Sequence, residues 1–522
     1  MTKDYGIKKR IKRESIRFRY AKGLTRLRSR LPSKYKDYWK GVSNIFDEEL
    51  YSYHSCNAIP ENKYCKPAYI ITSDLVRIED VELLKRGLKK MLLKHSADDR
   101  FISSVVDLSE ILANIDNMDS IQMEGFSWRN VGILDFRGNG LSDTIDHYSL
   151  SVRSVNPSFL SIECILYLTD KKVEELGALI AKDYNERVMH AKRHLARHKD
   201  GSTFYSYSVG RFDDSTIKAN NINTFISCIQ WGFNQEITRY LPLVLHKKGI
   251  IPPRIEVFYT DINPEDEQNR FWESIGCERI NRFIIDNSLT LYQNDHYLGD
   301  SRFEDNLRLL CVVTDDGIEE GQLKSVKDQA RVRLLDATGA FFHFMFLKIL
   351  STECGKTVAK YKKRLSTFGL KRNRLHSLLR LRYMFSKDIN DFRLLYENYN
   401  WEQRFNDIEE LYSTDSPNDE SSENDEIILP YGDHYKSITH GAEHISSIIN
   451  VVENDIEAKR QIMQNLSDYK NTSRSLHINI AMLMITVFTL FFVIFPDATI
   501  AVSAIIKQAI AFLRQIIWRI YG

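Results

Sequence analysis

Ser475, Asn479, Met482, Thr486, Thr489 and Val493 recur at spacings of four, three, four, three and four along the last fifty residues. On an α-helix these positions share one face. All but Ser475 lie within a run, residues 476–495 (LHINIAMLMITVFTLFFVIF), that contains no Asp, Glu, Lys or Arg. Hydroxyl and amide oxygens on such a face can touch water or ions, and several copies around a shared axis would line a narrow polar path. The alternative is that the hydroxyls bond their own helix while Asn479 ties helices together. A single helix cannot enclose a pore, so conduction requires an oligomer.

A second constellation lies in the middle of the chain. His190, His194 and His198 follow Glu186 at intervals of four, interleaved with Arg187, Lys192, Arg193, Arg197 and Lys199. If residues 171–198 form one helix, the histidines make a stripe in which neighbours can share a metal, and the basic face can hold phosphates. His190, Arg193, His194, Arg197 and His198 are therefore the candidate ligand-binding residues, against the plainer alternative of a solvated basic face. His440 and His444 repeat the spacing, but HGAEH lacks the HExxH order of a zinc protease. Gly138-Asn139-Gly140 and Thr314-Asp315-Asp316-Gly317 are turn chemistry, and no phosphate-binding glycine loop occurs. Without a nucleophile, base and orienter set, the chain is expected not to be an enzyme, and no catalytic residue is assigned.

Composition supplies the setting. The chain has 522 residues, 43% of them hydrophobic, enough for several packed domains. Seven scattered cysteines without a CxxC pair suit reduced thiols in a cytosol. The net charge of +2 conceals a basic head, residues 3–40, balanced by an acidic run at 415–426. Tyr35, Tyr38 and Trp39 interleave with the basic head, a mixture that can stack bases or dock the head on the body. No apolar run at the start resembles a signal peptide.

These features need elements to position them. Residues 130–135, 148–155, 160–168, 255–259, 283–292 and 307–313 are rich in Ile, Val, Leu, Phe and Tyr and predict strands, the second and third joined in a hairpin at Asn156-Pro157. Helical patterns at 171–198, 222–246 and 265–275 predict covering helices. The expected fold is an α/β body with a mixed sheet. A helical region with an apolar helix near 341–350 and a basic one near 371–382 follows, and then a long stalk helix and a C-terminal transmembrane helical hairpin. The segments are a basic N-terminal piece (1–45), the α/β cytosolic domain (46–320), the helical region (321–412), an acidic hinge (413–429), the stalk (430–475) and the hairpin (476–522). Ile445, Ile449, Val452, Ile456, Lys459, Met463 and Leu466 form a heptad seam on the stalk, either a coiled coil or an amphipathic face packed on the chain's own body. Residues 476–495 match the thickness of a hydrocarbon core, with Lys470 and Arg474 as cytosolic flanking charge. Residues 498–521, interrupted by Lys507, Arg514 and Arg519, either return across the bilayer or lie flat on it. The expected location is the inner membrane, multi-pass, with the N-terminal body in the cytosol.

This order of soluble body, stalk, first span, short turn and second span resembles the CorA-like metal-ion transporter superfamily. The resemblance covers about the last ninety residues, 430–522. It implies a homo-oligomer, pentameric by analogy, with Asn479, Met482, Thr486 and Thr489 lining the pore. The family's Gly-Met-Asn signature is absent, since the chain reads Val493-Ile-Phe-Pro-Asp497 there. No ring of backbone and amide oxygen then holds hydrated magnesium, and Asp497 offers a looser cation-attracting ring. In layout the chain is similar to the divergent CorA-like membrane effectors that accompany type III CRISPR systems. That similarity implies a body sensing a nucleotide second messenger, such as the conjugate of S-adenosylmethionine and AMP, and a membrane segment that compromises the bilayer in antiviral defence. Its partners would be the lipid bilayer, copies of itself and the small nucleotide, with no stable nucleic-acid partner. The alternatives are a divalent-cation channel of CorA type and a membrane-anchored enzyme.

Overall fold

The computed structural model describes residues 62–95, 128–136, 140–197, 203–212, 214–262, 280–286, 289–294, 308–314, 323–370, 374–401, 432–494, 507–512 and 514–516, with short pieces elsewhere. It divides into two compact units, Met1–Lys348 with Leu395–Thr439, and Ile349–Leu394 with His440–Gly522. The basic-head aromatics, the acidic hinge, all but Ile275 of the helix expected at 265–275, His198 and Asp497 lie outside the described residues.

The first unit is built on an eight-stranded sheet. Its strands are β1 (Cys65–Arg77), β2 (Trp128–Leu134), β3 (Ile145–Asn156), β4 (Phe159–Leu168), β7 (Arg254–Thr260), β8 (Ile280–Asp286), β9 (Leu289–Asn294) and β10 (Arg308–Thr314). The order is β8-β9-β10-β7-β1-β4-β3-β2, antiparallel except where β7 runs parallel to β10. The hairpin at Asn156-Pro157 forms as expected, with the Asn156 side chain accepting from the amides of Ser158 and Phe159 at 2.9 Å each. The run 283–292 splits into β8 and β9, because Asp286-Asn287-Ser288 is turn chemistry.

The central strand β1 escapes the sequence pattern. Pro67 and Asp74 interrupt its apolar run, yet both are accommodated. The register against β7 slips between Val257 and Phe258, leaving Ala68 as the extra residue, so that Pro67 lies beside a bulge, a place in a sheet that tolerates proline. Asp74 accepts from the amides of Leu75 at 2.6 Å and of Leu245 and His246 at 2.9 Å each. It thereby ties β1 to the short helix α4 (Val244–Lys247).

One sheet face carries helices α1 (Val81–Lys94), α2 (Asp170–Ala181) and α3 (Asp214–Ile237). Leu84, Leu88 and Met91 of α1, Leu176 and Ile180 of α2, and Ile226 and Phe233 of α3 share a core with Ile70, Tyr148, Leu150, Ile162 and Leu166 of the sheet. The opposite face is also buried but richer in polar groups, with Ser73, Ser149, Ser151, Arg153, Ser161 and Glu163. Burial on both faces removes the alternation that marks a half-exposed strand.

Residues 171–198 do not form one helix. α2 stops at Ala181, and Lys182 is already extended. Asn57 holds the next turn open, accepting from the Tyr184 amide at 2.8 Å and donating to the Tyr184 carbonyl at 3.0 Å. Glu186–Arg197 then forms β5, paired in parallel with Ile11–Glu14 and antiparallel with β6 (Thr203–Phe212). Cross-strand pairing overrides the helix-forming composition of the segment.

The remaining helices are longer than the sequence suggests. The apolar stretch 341–350 is the middle of α5 (Leu323–Ser366, 44 residues), and the basic stretch 371–382 overlaps the start of α6 (Leu375–Glu397). The stalk and the apolar run are one helix, α7 (Gly432–Ile494), of 63 residues. In the second unit the seam residues Ile449, Val452, Ile456 and Met463 are buried within a single chain, together with Val358, Tyr361 and Leu365 of α5 and Leu378, Phe385 and Ile389 of α6. Ile449, Val452, Ile456 and Met463 of the heptad seam are therefore packed within the chain, while Leu466 at its end is exposed. Residues 507–512 and 514–516 are helical, but no hairpin is formed among the described residues.

Asp74 yields a pH test. Burial outweighs its amide partners and pushes the carboxyl up to about 6. The folded value lies above the unfolded one, so this group's stabilisation is full at low pH and is lost as pH rises through about 6. In thermal melts, the advantage of wild type over Asp74→Asn should shrink between about pH 4 and 7, by at most roughly 3 kcal/mol.

Candidate functional site

The strongest site geometry is the apolar end of α7. Of the described residues, one helix, Lys436–Leu490, is long and apolar enough to cross a membrane. Met463 is its last buried residue, and none is buried from 464 to 490. Leu476, Met482, Leu483, Val487 and Leu490 are each more than half exposed. So long an uncovered apolar surface is uncommon in water and ordinary in lipid.

On this surface Ser475, Asn479, Met482, Thr486 and Thr489 are all exposed, and Val493 continues the helix. Both threonine hydroxyls donate back along the helix, Thr486 to the Met482 carbonyl at 2.9 Å and Thr489 to the Ile485 carbonyl at 2.8 Å. The donor is thus satisfied internally, as the sequence allowed. Each oxygen keeps lone pairs with which to accept from water or coordinate a cation.

The histidine constellation is a correction. His190, Arg193, His194 and Arg197 lie on strand β5, not on a helix. Four residues advance about 13 Å along a strand, against about 6 Å along a helix, so the shared-metal stripe that helical spacing implied does not form. Among the described residues no group of three or more His, Cys, Asp or Glu could hold a metal. Cys65, Cys164, Cys228 and Cys354 are free thiols, and burial pushes Cys65 up to about 12.

Two buried polar clusters were missed in the sequence. On the helical face, Arg254 donates to Glu256 at 2.7 Å, Ser227 at 3.0 Å and Gln230 at 3.2 Å, and also to Asn223. Gln230 in turn donates to Thr72 at 2.7 Å and to the Pro252 carbonyl at 3.0 Å. These bonds fasten α3 to β7 and β1.

On the other face, Arg153 and Glu163 form an ion pair at 3.1 Å, with side chains only 4% and 1% exposed. Burial raises the Glu163 carboxyl and Arg153 opposes the rise. The guanidinium lies against α5 at Gly339, where an added Cβ would sit 2.0 Å from its Nη1. Gly339 is thus the place where α5 admits a buried charge from the sheet. Period-two alternation groups Arg153 with Ser149 and Ser151, which reads as a solvent face, and nothing local reveals that a distant helix covers it.

Compared with protein-family models, curated proteins and solved structures, the chain matches none.

Gly339→Ala should displace the guanidinium and strand a buried charge, lowering stability by about 2–4 kcal/mol despite the better helix propensity of Ala. Adding Arg153→Met and Glu163→Met should recover most of that loss in a chemical-denaturation cycle.

Proposed function

We propose that this chain is a homo-oligomeric membrane effector. Its cytosolic body binds a nucleotide second messenger, and the bound state shifts the long helices so that the apolar segment opens a pore or disrupts the bilayer. The observation that carries the reading is α7, one uninterrupted helix whose first part is packed in a bundle and whose last part presents an uncovered, mainly apolar surface. A ligand acts on such a system by binding one conformation better than the other. The layout shared with CorA-like effectors of type III CRISPR systems supports the nucleotide and the defensive role.

Two features favour assembly with further copies. Ile462, Leu466 and Tyr469 form an exposed apolar stripe on α7, 44%, 46% and 77% exposed, just before the span. Asn479 and the two threonines place polar groups on a helix that otherwise meets lipid, where an unpartnered amide is costly. Turned toward a common axis, these groups become the polar lining of the path.

Liposomes carrying the purified protein should leak only when a suitable nucleotide is added. Thr486→Val should leave insertion intact and reduce the leak several-fold, while truncation before Ser475 should abolish it. Leakage without nucleotide would instead favour a constitutive cation channel, and tightness under every nucleotide would refute the effector.

A further inference from the structure

Ile462, Leu466 and Tyr469 begin a longer pattern. Their spacing of four and three runs on without a slip through Ser473 and Leu476 to Leu490, and every step from Leu476 onward is Leu, Ile or Val. All of these apolar positions are exposed on α7. A repeat of 3.5 residues held over about four heptads keeps one stripe turned toward a partner helix.

The border of this seam repeats as well. Asn465, Thr472, Asn479 and Thr486 follow one another at intervals of seven, and all four are exposed. In a coiled coil such positions flank the seam, where polar side chains of adjacent helices meet. An Asn amide in lipid finds there, on another helix, the partner that lipid does not offer.

What covers the seam follows from where it lies. Leu466 and Ile462 precede Leu476 by roughly 15 and 21 Å of helix, so the hydrocarbon that meets the run 476–495 does not reach them. The steps from Leu476 onward lie inside that run, where no water-soluble partner comes. The partner must therefore pass from water into lipid beside α7, with a seam of its own in step. α7 of a second copy meets both conditions by symmetry.

We infer that this seam packs α7 against α7 of a second copy, parallel and in register, and that this is the closed arrangement of the proposed pore. The inference rests on the homo-oligomeric membrane reading and names the contact that reading leaves open. Ser475, Met482 and Thr489 sit about 100° round the helix from the seam, so copies joined at the seam hold no polar path between them. Turning α7 through about that angle exchanges seam for polar stripe at the shared axis, a helix rotation of the kind that switches other assemblies.

The test uses the full chain in membranes of the cells that make it, without added nucleotide. Tyr469→Cys and Leu476→Cys probe the seam, Ser475→Cys and Met482→Cys the polar stripe, and Asn471→Cys the side of α7 opposite the seam. After oxidation with copper phenanthroline, mass spectrometry counts the disulfide that joins two copies of the same substituted peptide, so the native cysteines do not interfere. The two seam variants should give several-fold more of this product than the other three. Equal or greater yields at the stripe or at Asn471→Cys, or no product from a protein that holds several copies in mild detergent, would overturn the seam and leave the homo-oligomer standing. No product at any site from a protein with the mass of one copy would overturn the homo-oligomeric reading, and the inference with it.

Discussion

A backbone long and apolar enough to enter lipid must satisfy its own hydrogen bonds there, and the continuous helix of α7 meets that requirement. At 63 residues it is about 95 Å long, three times the thickness of a hydrocarbon core. No Pro or Gly falls between Ala442 and Ile494. A rotation or tilt imposed at one end of such a rod is carried to the other, whereas a break would absorb it. The proposed coupling of body to membrane depends on that continuity.

The first compact unit is stiffened by charges placed where burial makes them selective. Arg254 and Asp74 join one sheet face to its helices through bonds that use nearly all their polar atoms. Arg153 and Glu163 pair on the opposite face, and the Arg153 guanidinium meets α5 at the one residue type that leaves room. α5 itself begins in the first compact unit and ends in the second, as one helix of 44 residues. A buried ion pair adds little net stability, but it penalises any arrangement that separates its members. That property suits the register of β3 against β4, the two paired strands that carry the pair.

How much of this was legible in the sequence depended on how local each cause was. The apolar run, its stripe of Asn479, Thr486 and Thr489, and the hairpin at Asn156-Pro157 all follow from residues within a few positions of each other. Strand β1 was hidden because Pro67 and Asp74 are tolerated only through a bulge and through amides of residues 245 and 246. The histidine segment ERVMHAKRHLAR has helical composition and by itself predicts a helix, whereas its strand form comes from partners at 11–14 and 203–212. The heptad seam was visible, but its partner was ambiguous. Val358, Tyr361, Leu378 and Phe385 fill the core it belongs to, and no heptad pattern announces them.

Everything rests on the uncovered end of α7 lying in lipid. The most direct measurement is alkaline carbonate extraction of membranes from cells making the full chain, beside a version ending before Ser475. The account predicts that the full chain stays with the membrane pellet and the shortened chain is released. Release of the full chain into the aqueous supernatant would contradict it.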